Sequence, residues 1–302
     1  MRDLPLVDAH AHLLELGRLH YGWLQPPFSD SGPNGNVAAI ARDHVLAAYR
    51  AEAANWNVVG MVHVEAGADQ AQKLDETAWV EQTAAAEGMP NAIVAYAALD
   101  DPDIERVLAA QAAFPRVRGI RHIVNWHRDA ARTYTPRDIT QDDAWVRGFG
   151  LLARHGLSFD LHAYPHQFAG LSRLIERHPE VSVIVNHAGM GVGADKLGKA
   201  NWRAGMRALA ALPNVAVKVS GIGFVQRPWN LEMVRDRARE TIDLFGSNRA
   251  MIASNFPTDR LVAPFDDTMG ALADVVAEFT DCERRALFAR NANRIYRLGL
   301  NV

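Results

Sequence analysis

The sequence predicts a single (β/α)8 barrel of the TIM-barrel class spanning residues 1–302, with a long loop after the first strand and an extra C-terminal helix. Three observations carry that prediction. Eight short apolar stretches rich in Val, Ile and Ala recur along the chain, segments with helical spacing separate them, and composition never shifts enough to mark a second domain. Such alternation calls for parallel strands, because each crossover must return over the sheet by a helix. Eight units favour closure into a barrel of ordinary size. An open doubly wound sheet is the competing arrangement, but no G-x-G-x-x-G follows the first strand, which weighs against a dinucleotide fold.

In chain order the strands are LPLVD, NVVGMVHVE, AIVAYAAL, VRGIRHIV, LSFDLHA, VSVIVNHA, VAVKVSG and RAMIAS, each reading as buried on both faces. Helices are expected over residues 37–55, 76–88 and 101–114, the last with Asp101 as N-cap and Pro102 in the first helical position. Further helices follow in DDAWVRGFGLLARHG, PHQFAGLSRLIERHP, KANWRAGMRALAAL, LEMVRDRARETIDLFG and APFDDTMGALADVVAEF. A final helix opens at Asp281, with Thr280 and Glu283 in capping-box spacing, and ends near Gly299. Residues 14–36 are rich in Pro and Gly, and a long loop in that place more often shapes a site than merely connects elements.

The net charge of −3, with no basic stripe, argues against nucleic acid as a partner and leaves small molecules. A lone cysteine, Cys282, excludes an internal disulfide framework and reads as a packing residue. The N-terminus lacks the regions of a signal peptide, and no run approaches the ~18 apolar residues that cross a bilayer. The expectation is a soluble cytoplasmic protein with no membrane partner.

Chemistry enters with VDAHAHL. On a strand, Asp8, His10 and His12 leave the backbone on one side, so two imidazoles converge as a metal ion or a polarised carbonyl requires. Twelve His in 302 residues give roughly 0.5 chance instances of H-x-H, so position must decide. Barrel active sites lie at the C-terminal ends of the strands. There the sequence places His10 and His12, His63 and Glu65, Arg121 and His122, His162, Asn186 and His187, Ser220, and Asn255 with Asp259. Half of the histidines thus gather at one rim, a concentration that marks a functional site.

Plainer readings apply to several members. His63 and His122 sit in apolar strands and read equally as core histidines. His44, His155 and His178 fall on or beside helices as surface or packing groups, and His127 and His166 are lid or solvent-facing residues. Trp56, Trp79, Trp145 and Trp202 lie on helical patterns and read as core. Trp23, inside the first loop, is the aromatic expected to wall a substrate. Glu15, Arg18 and DRARETID read as solvated faces.

Taken together, VDAHAH, VNHAGM and ASNFPTD resemble the amidohydrolase superfamily. Within it they are most similar to the amidohydrolase 2 group of TIM-barrel metal-dependent hydrolases, which includes sugar-acid lactonases and 2-pyrone-4,6-dicarboxylate lactonase. The likeness spans nearly the whole chain: HYGWL resembles the first loop, VGMVHVEAG and ETAWV the second unit, VRGIRHI the fourth strand and VIVNHAGM the sixth.

The resemblance implies that His10 and His12 are paired metal ligands, that His187 is the sixth-strand ligand and that His162 is the fifth-strand histidine. It implies one divalent ion, zinc being suited to neutral imidazole, which would bring the pKa of bound water toward ~7 and polarise a carbonyl. In the superfamily an eighth-strand aspartate ligates and takes the water's proton. Here IASNFP puts Asn255 in that place, and an amide is neither a base nor a strong ligand. Either Asp259 or a rim histidine then takes the proton, or the site is metal-free. Arg121 and His122 stand in place of a carbamylated lysine, which argues against a bridged two-metal centre.

The resulting expectation is a lactonase-like hydrolase of carbohydrate or aromatic catabolism. His10, His12 and His187 hold the metal or the carbonyl oxygen. Arg121 grips a substrate carboxylate or hydroxyls, with Trp23, His63 and His122 around it. His162, Asn255 and Asp259 form the catalytic set. Two alternatives remain: an aromatic-acid decarboxylase on the same barrel, or a catalytically silent ligand-binding barrel, suggested by Asn255. Homo-oligomerisation stays open.

Overall fold

Eight parallel strands pair in chain order in the computed structural model, which describes residues 1–191, 196–225 and 230–302. They are β1 (Leu6–Ala11), β2 (Val58–Val64), β3 (Ala92–Tyr96), β4 (Val117–Ile123), β5 (Ser158–His162), β6 (Val183–Val185), β7 (Val215–Val219) and β8 (Ala250–Ile252). The sheet curls until its edges nearly meet. Asn255 N–H donates to His10 O at 2.8 Å, His12 N–H donates to Phe256 O at 2.8 Å, and Ala11 and Phe256 form a parallel bridge. The fold is therefore an α/β barrel of the TIM type, as expected, with a thin seam between β1 and β8.

One expectation about β1 fails. Asp8 pairs with Met61 of β2 and Ala11 pairs with His63, so β1 spends three residues where β2 spends two. That extra residue is a β-bulge, which re-aims side chains at barrel rims. As a result Asp8 points outward, while His10 and His12 point into the mouth. The outward Asp8 carboxylate accepts hydrogen bonds from Tyr49 Oη at 2.9 Å, Ser254 Oγ at 2.6 Å, Ser254 N at 2.9 Å and His10 N at 3.2 Å. It stitches the seam instead of joining the histidines.

The outer ring comprises α1 (Leu46–Glu52), α2 (Lys73–Glu87), α3 (Ile104–Ala112), α4 (Asp143–Leu151), α5 (Phe168–Glu176), α6 (Lys196–Ala210), the short α7 (Ile222–Val225), α8 (Leu231–Phe245) and α9 (Phe265–Val275). The first helix is far shorter than the 37–55 expected. Leu14 and His44 form an antiparallel bridge and Asp43 Oδ1 accepts Leu16 N–H at 2.8 Å, so the chain stays extended until Val45. Only a single turn at Ala38–Ile40 precedes it. In α3 the start moves to Ile104, because Asp101 caps a turn that receives Asp103 N–H at 2.8 Å.

Thr280 and Glu283 form the expected capping box at the start of α10 (Asp281–Arg285). Instead of running to Gly299, that helix passes through a wide turn at Ala286–Arg290 into α11 (Asn291–Ile295). Cys282 is exposed there, not packed. The segment lies under the barrel, and Tyr296 enters it, fully buried among Val7, Ala9, Val62 and Met251. The tube thus has an apolar floor, while the outer core of Trp145, Phe149 and Phe159 packs helices against its wall.

Candidate active site

At the open mouth lies a cavity of about 770 Å³ bordered by His12, Arg121, His162, His187 and Asn255, with Leu14, Trp23, Ile123, Tyr134, Phe224 and Pro257 among its walls. Trp23 is held there by its Nε1–H donating to Ala66 O at 2.8 Å. His10 sits just beneath. Its ring centroid is 4.9 Å from that of His12 and 4.6 Å from that of His187, which in turn is 5.2 Å from His162. Histidines separated by up to 177 positions in the chain therefore meet in one cluster.

Local backbone delivers each ring. His162 is the last residue of β5 and shares a strand face with Asp160. His187 takes a left-handed conformation with φ of 51°, followed by Ala188 at 49°, turning the imidazole inward after β6. Gly221 makes room for it, since a Cβ at that position would stand 2.6 Å from His187 Nδ1. Asn255 also has positive φ, 58°, which asparagine tolerates better than most residues.

Hydrogen bonds fix ring orientation. His12 Nδ1 lies 2.7 Å from Val64 O, an acceptor, so Nδ1 carries the proton and Nε2 offers a lone pair. By the same logic His162 Nδ1 donates to Asn125 Oδ1, leaving its Nε2 bare. His187 Nδ1 contacts Ser220 Oγ at 3.1 Å. Burial drives all four imidazoles well below the usual histidine range. Lys218 adds to this for His10, Arg121 for His12 and His162, and His162 for His187. The cluster is neutral at pH 7.

Arg121 reaches the cavity from β4, but its guanidinium is already engaged: Nε donates to Glu65 Oε1 at 2.5 Å and Nη2 to the Glu65 carbonyl. Asn255 Nδ2 donates to Asp259 Oδ1 at 2.8 Å, which leaves Asn255 Oδ1 buried and turned toward the His12 imidazole, with no hydrogen bond of good geometry. Asp259 itself lines a smaller adjoining cavity of about 350 Å³ with Ser220 and Gly221, one side chain removed from the main mouth. Its burial pushes its carboxyl up to about 7.

Two expected substrate residues lie elsewhere. On β4 successive side chains alternate, so Arg121 faces in and His122 faces the helices, where its Nδ1 accepts from Leu99 N at 3.2 Å and Trp145 Nε1 at 3.3 Å. His63 likewise faces outward: its Nδ1 accepts Leu13 N–H at 3.2 Å and its Nε2 stands 4.0 Å from Glu76 Oε1. Both are supports behind the wall and do not line the main cavity. Sequence reading also passed over Lys218, Asp160, Asn125 and Tyr296. A signal existed for the first two, each a charge inside an apolar strand, two residues before a rim position.

A divalent ion would need lone pairs from His10, His12 and His187 together. The separation of 3.2 Å between His10 Nε2 and His12 Nε2 suits two ligands of one ion, but His10 Nδ1 faces the Lys218 ammonium at 3.4 Å. Asn255 supplies an amide where a carboxylate would ligate. Among the described residues no group of three or more His, Cys, Asp or Glu side chains is disposed to hold a metal. As arranged, the donor set does not fit the ion, in contrast to the ligand roles implied by the sequence.

An all-parallel eight-stranded barrel with paired histidines at the end of its first strand and another after its sixth defines the class of amidohydrolase barrels. The amidohydrolase family model matches residues 7–298, and the chain belongs to that family. A Sinorhizobium fredii protein of uncharacterized function, y4mH, is 37% identical over 299 residues, covering 99% of this chain and 100% of that one. An L-fucono-1,5-lactonase of Burkholderia multivorans is 27% identical, covering 97% and 96%. Among solved structures, an amidohydrolase from Burkholderia multivorans with bound zinc superposes with a TM-score of 0.80 at 24% identity, covering 97% of this chain and 99% of that one. No helix among the described residues is long and apolar enough to cross a membrane.

Proposed function

We propose that the protein opens the ring of a small hydroxylated lactone, a sugar-acid lactone, by adding water. The observation that carries this reading is the floor of the cavity: neutral imidazoles with bare nitrogens beside a buried amide oxygen that has no hydrogen bond of good geometry. An ester carbonyl is electrophilic enough to react when a hydrogen-bond donor polarises it and a base takes a proton from water. In this site Asn255 Oδ1 holds the attacking water by accepting a hydrogen bond from one of its O–H groups, and that O–H stays intact. His162 Nε2 removes the proton of the other as the oxygen attacks the carbonyl carbon. Asp259 orients the Asn255 amide, and Arg121 with the neighbouring imidazoles faces the developing oxyanion. The proton on His162 then passes to the departing ring oxygen.

Charge favours a neutral substrate over a dicarboxylate. Arg121 is the one cation lining the cavity among its described residues, and Glu65 already neutralises it. The lactonase activity of the Burkholderia relative supports the same substrate class. No step here passes through a metal ion.

The test is a panel of sugar-acid lactones, L-fucono-1,5-lactone first, with acid release as the signal. His187→Ala is expected to be slower by about a hundredfold. Ring opening no faster in the native protein than in that variant would sink the proposal. Carbon dioxide from an aromatic acid would point to a decarboxylase instead, and turnover appearing only in Asn255→Asp would mark a silent binding barrel.

A further inference from the structure

Below the imidazoles the barrel axis is charged. Lys218 on β7 and Asp160 on β5 are both wholly buried and pair at 3.1 Å. Tyr296, rising from the C-terminal segment, donates its hydroxyl to Asp160 Oδ1 at 2.6 Å and lies 2.9 Å from Oδ2. The Lys218 ammonium also sits 5.2 Å from the Tyr296 ring centroid, within cation–π range. A buried ion pair returns little net stability against its desolvation cost. Its upper end, however, touches the site: Lys218 Nζ is 3.4 Å from His10 Nδ1.

We propose that Lys218, held by Asp160 and Tyr296, is a positioning residue that keeps His10 protonated at Nε2, so that His10 meets the substrate carbonyl as a hydrogen-bond donor and not as a metal ligand. Two independent contacts demand this proton placement. An ammonium has donors only, so His10 Nδ1 must accept from it, and the single proton of the neutral ring moves to Nε2. From the other side, Val64 O claims the His12 Nδ1 proton, so His12 Nε2 can only accept, and it lies 3.2 Å from His10 Nε2. The chain of bonds runs in one direction, from Lys218 through His10 and His12 to the Val64 carbonyl. A substrate oxygen entering above His10 competes with His12 for the same Nε2–H. A metal ion there would meet that proton instead of a lone pair.

The tautomer stands apart from the reaction class, whereas the catalytic role of the donated proton rests on the lactonase reading. Long-range proton–nitrogen correlation spectra of the protein, labelled with nitrogen-15 in histidine and assigned with His10→Gln, report each tautomer directly. In the native protein His10 is expected as the Nε2–H form and His12 as the Nδ1–H form. The double variant Lys218→Met/Asp160→Asn removes both charges and leaves neither alone. There His10 is expected to populate the Nδ1–H form, with kcat on the lactone down about a hundredfold and KM changed by less than about threefold.

A native His10 protonated at Nδ1, or a double variant that keeps the Nε2–H form, overturns the proposal. The native spectrum decides the tautomer even if the variant fails to fold. Absence of lactone turnover in the native protein would remove the reaction, while the spectra still judge Lys218.

Discussion

An amide four positions before a carboxyl, Asn255 and Asp259, sets the chemistry of the rim at the scale of single residues. Asparagine cannot take a proton, but with its Nδ2 committed to Asp259 its oxygen has one orientation and no hydrogen bond of good geometry. Asp259 has a measurable signature of its own. Burial raises its carboxyl from 3.8 to about 7, against the bonds from Asn255 and the Gly221 backbone. The folded chain therefore keeps a proton that the unfolded chain loses near pH 4. The stability this contributes is full below that pH and is lost as pH climbs through about 7. Urea midpoints measured between about pH 4 and pH 8 should fall with rising pH in the native protein and fall less in Asp259→Asn. Parallel slopes would mean that another group titrates.

At the scale of elements, the first strand carries the most consequence per residue. The bulge between Asp8 and Ala11 separates two roles that a regular strand would merge, sending Asp8 to the seam and both histidines to the mouth. Asp8 offers a carboxylate to Tyr49, Ser254 and the His10 backbone, in a place where few backbone bonds join β1 to β8. Replacing Asp8 with Ala should cost about 3 kcal/mol, because buried donors lose a charged acceptor, while Tyr49→Phe should cost about 1 kcal/mol. Chemical denaturation gives both numbers. Equal losses would contradict the seam role, since Tyr49 makes one of its several bonds. The alternation on β4 shows the same rule without a bulge: Arg121 and His122 are neighbours in the chain and lie on opposite sides of the wall.

For the whole molecule, the barrel is a tube sealed at one end by residues 292–302. Tyr296 fills the axis and caps the Asp160–Lys218 pair, and Leu300 and Val302 pack beneath. Removing residues 296–302 should lower Tm by about 10 °C, since losing one large buried aromatic alone costs about 3–5 kcal/mol. A scanning calorimetry trace that shifts by less than about 2 °C would show that the floor is not a seal.

Much of this was legible beforehand. Eight apolar stretches alternating with helical spacing gave the barrel, since burial on both strand faces and the return of each crossover leave few other folds. The strand ends named His12, Arg121, His162, His187 and Asn255, which the cavity brings together. Helix boundaries were less legible: nothing local in residues 42–45 announces that a distant Leu14 and Leu16 hold Asp43 and His44 out of a helix.

Side-chain direction was hidden as well, because one extra residue in a strand reverses which face every later residue occupies. Sequence by itself thus determined the fold, the rim and the types of group gathered there, all of which follow from hydrophobic period and order along the chain. Only tertiary structure decided that Asp8 leaves the site, that His63 and His122 stand behind the wall, and that a lysine and an aspartate lie beneath His10. Those outcomes depend on register and on contacts across some 23 to 246 positions, which no local pattern encodes.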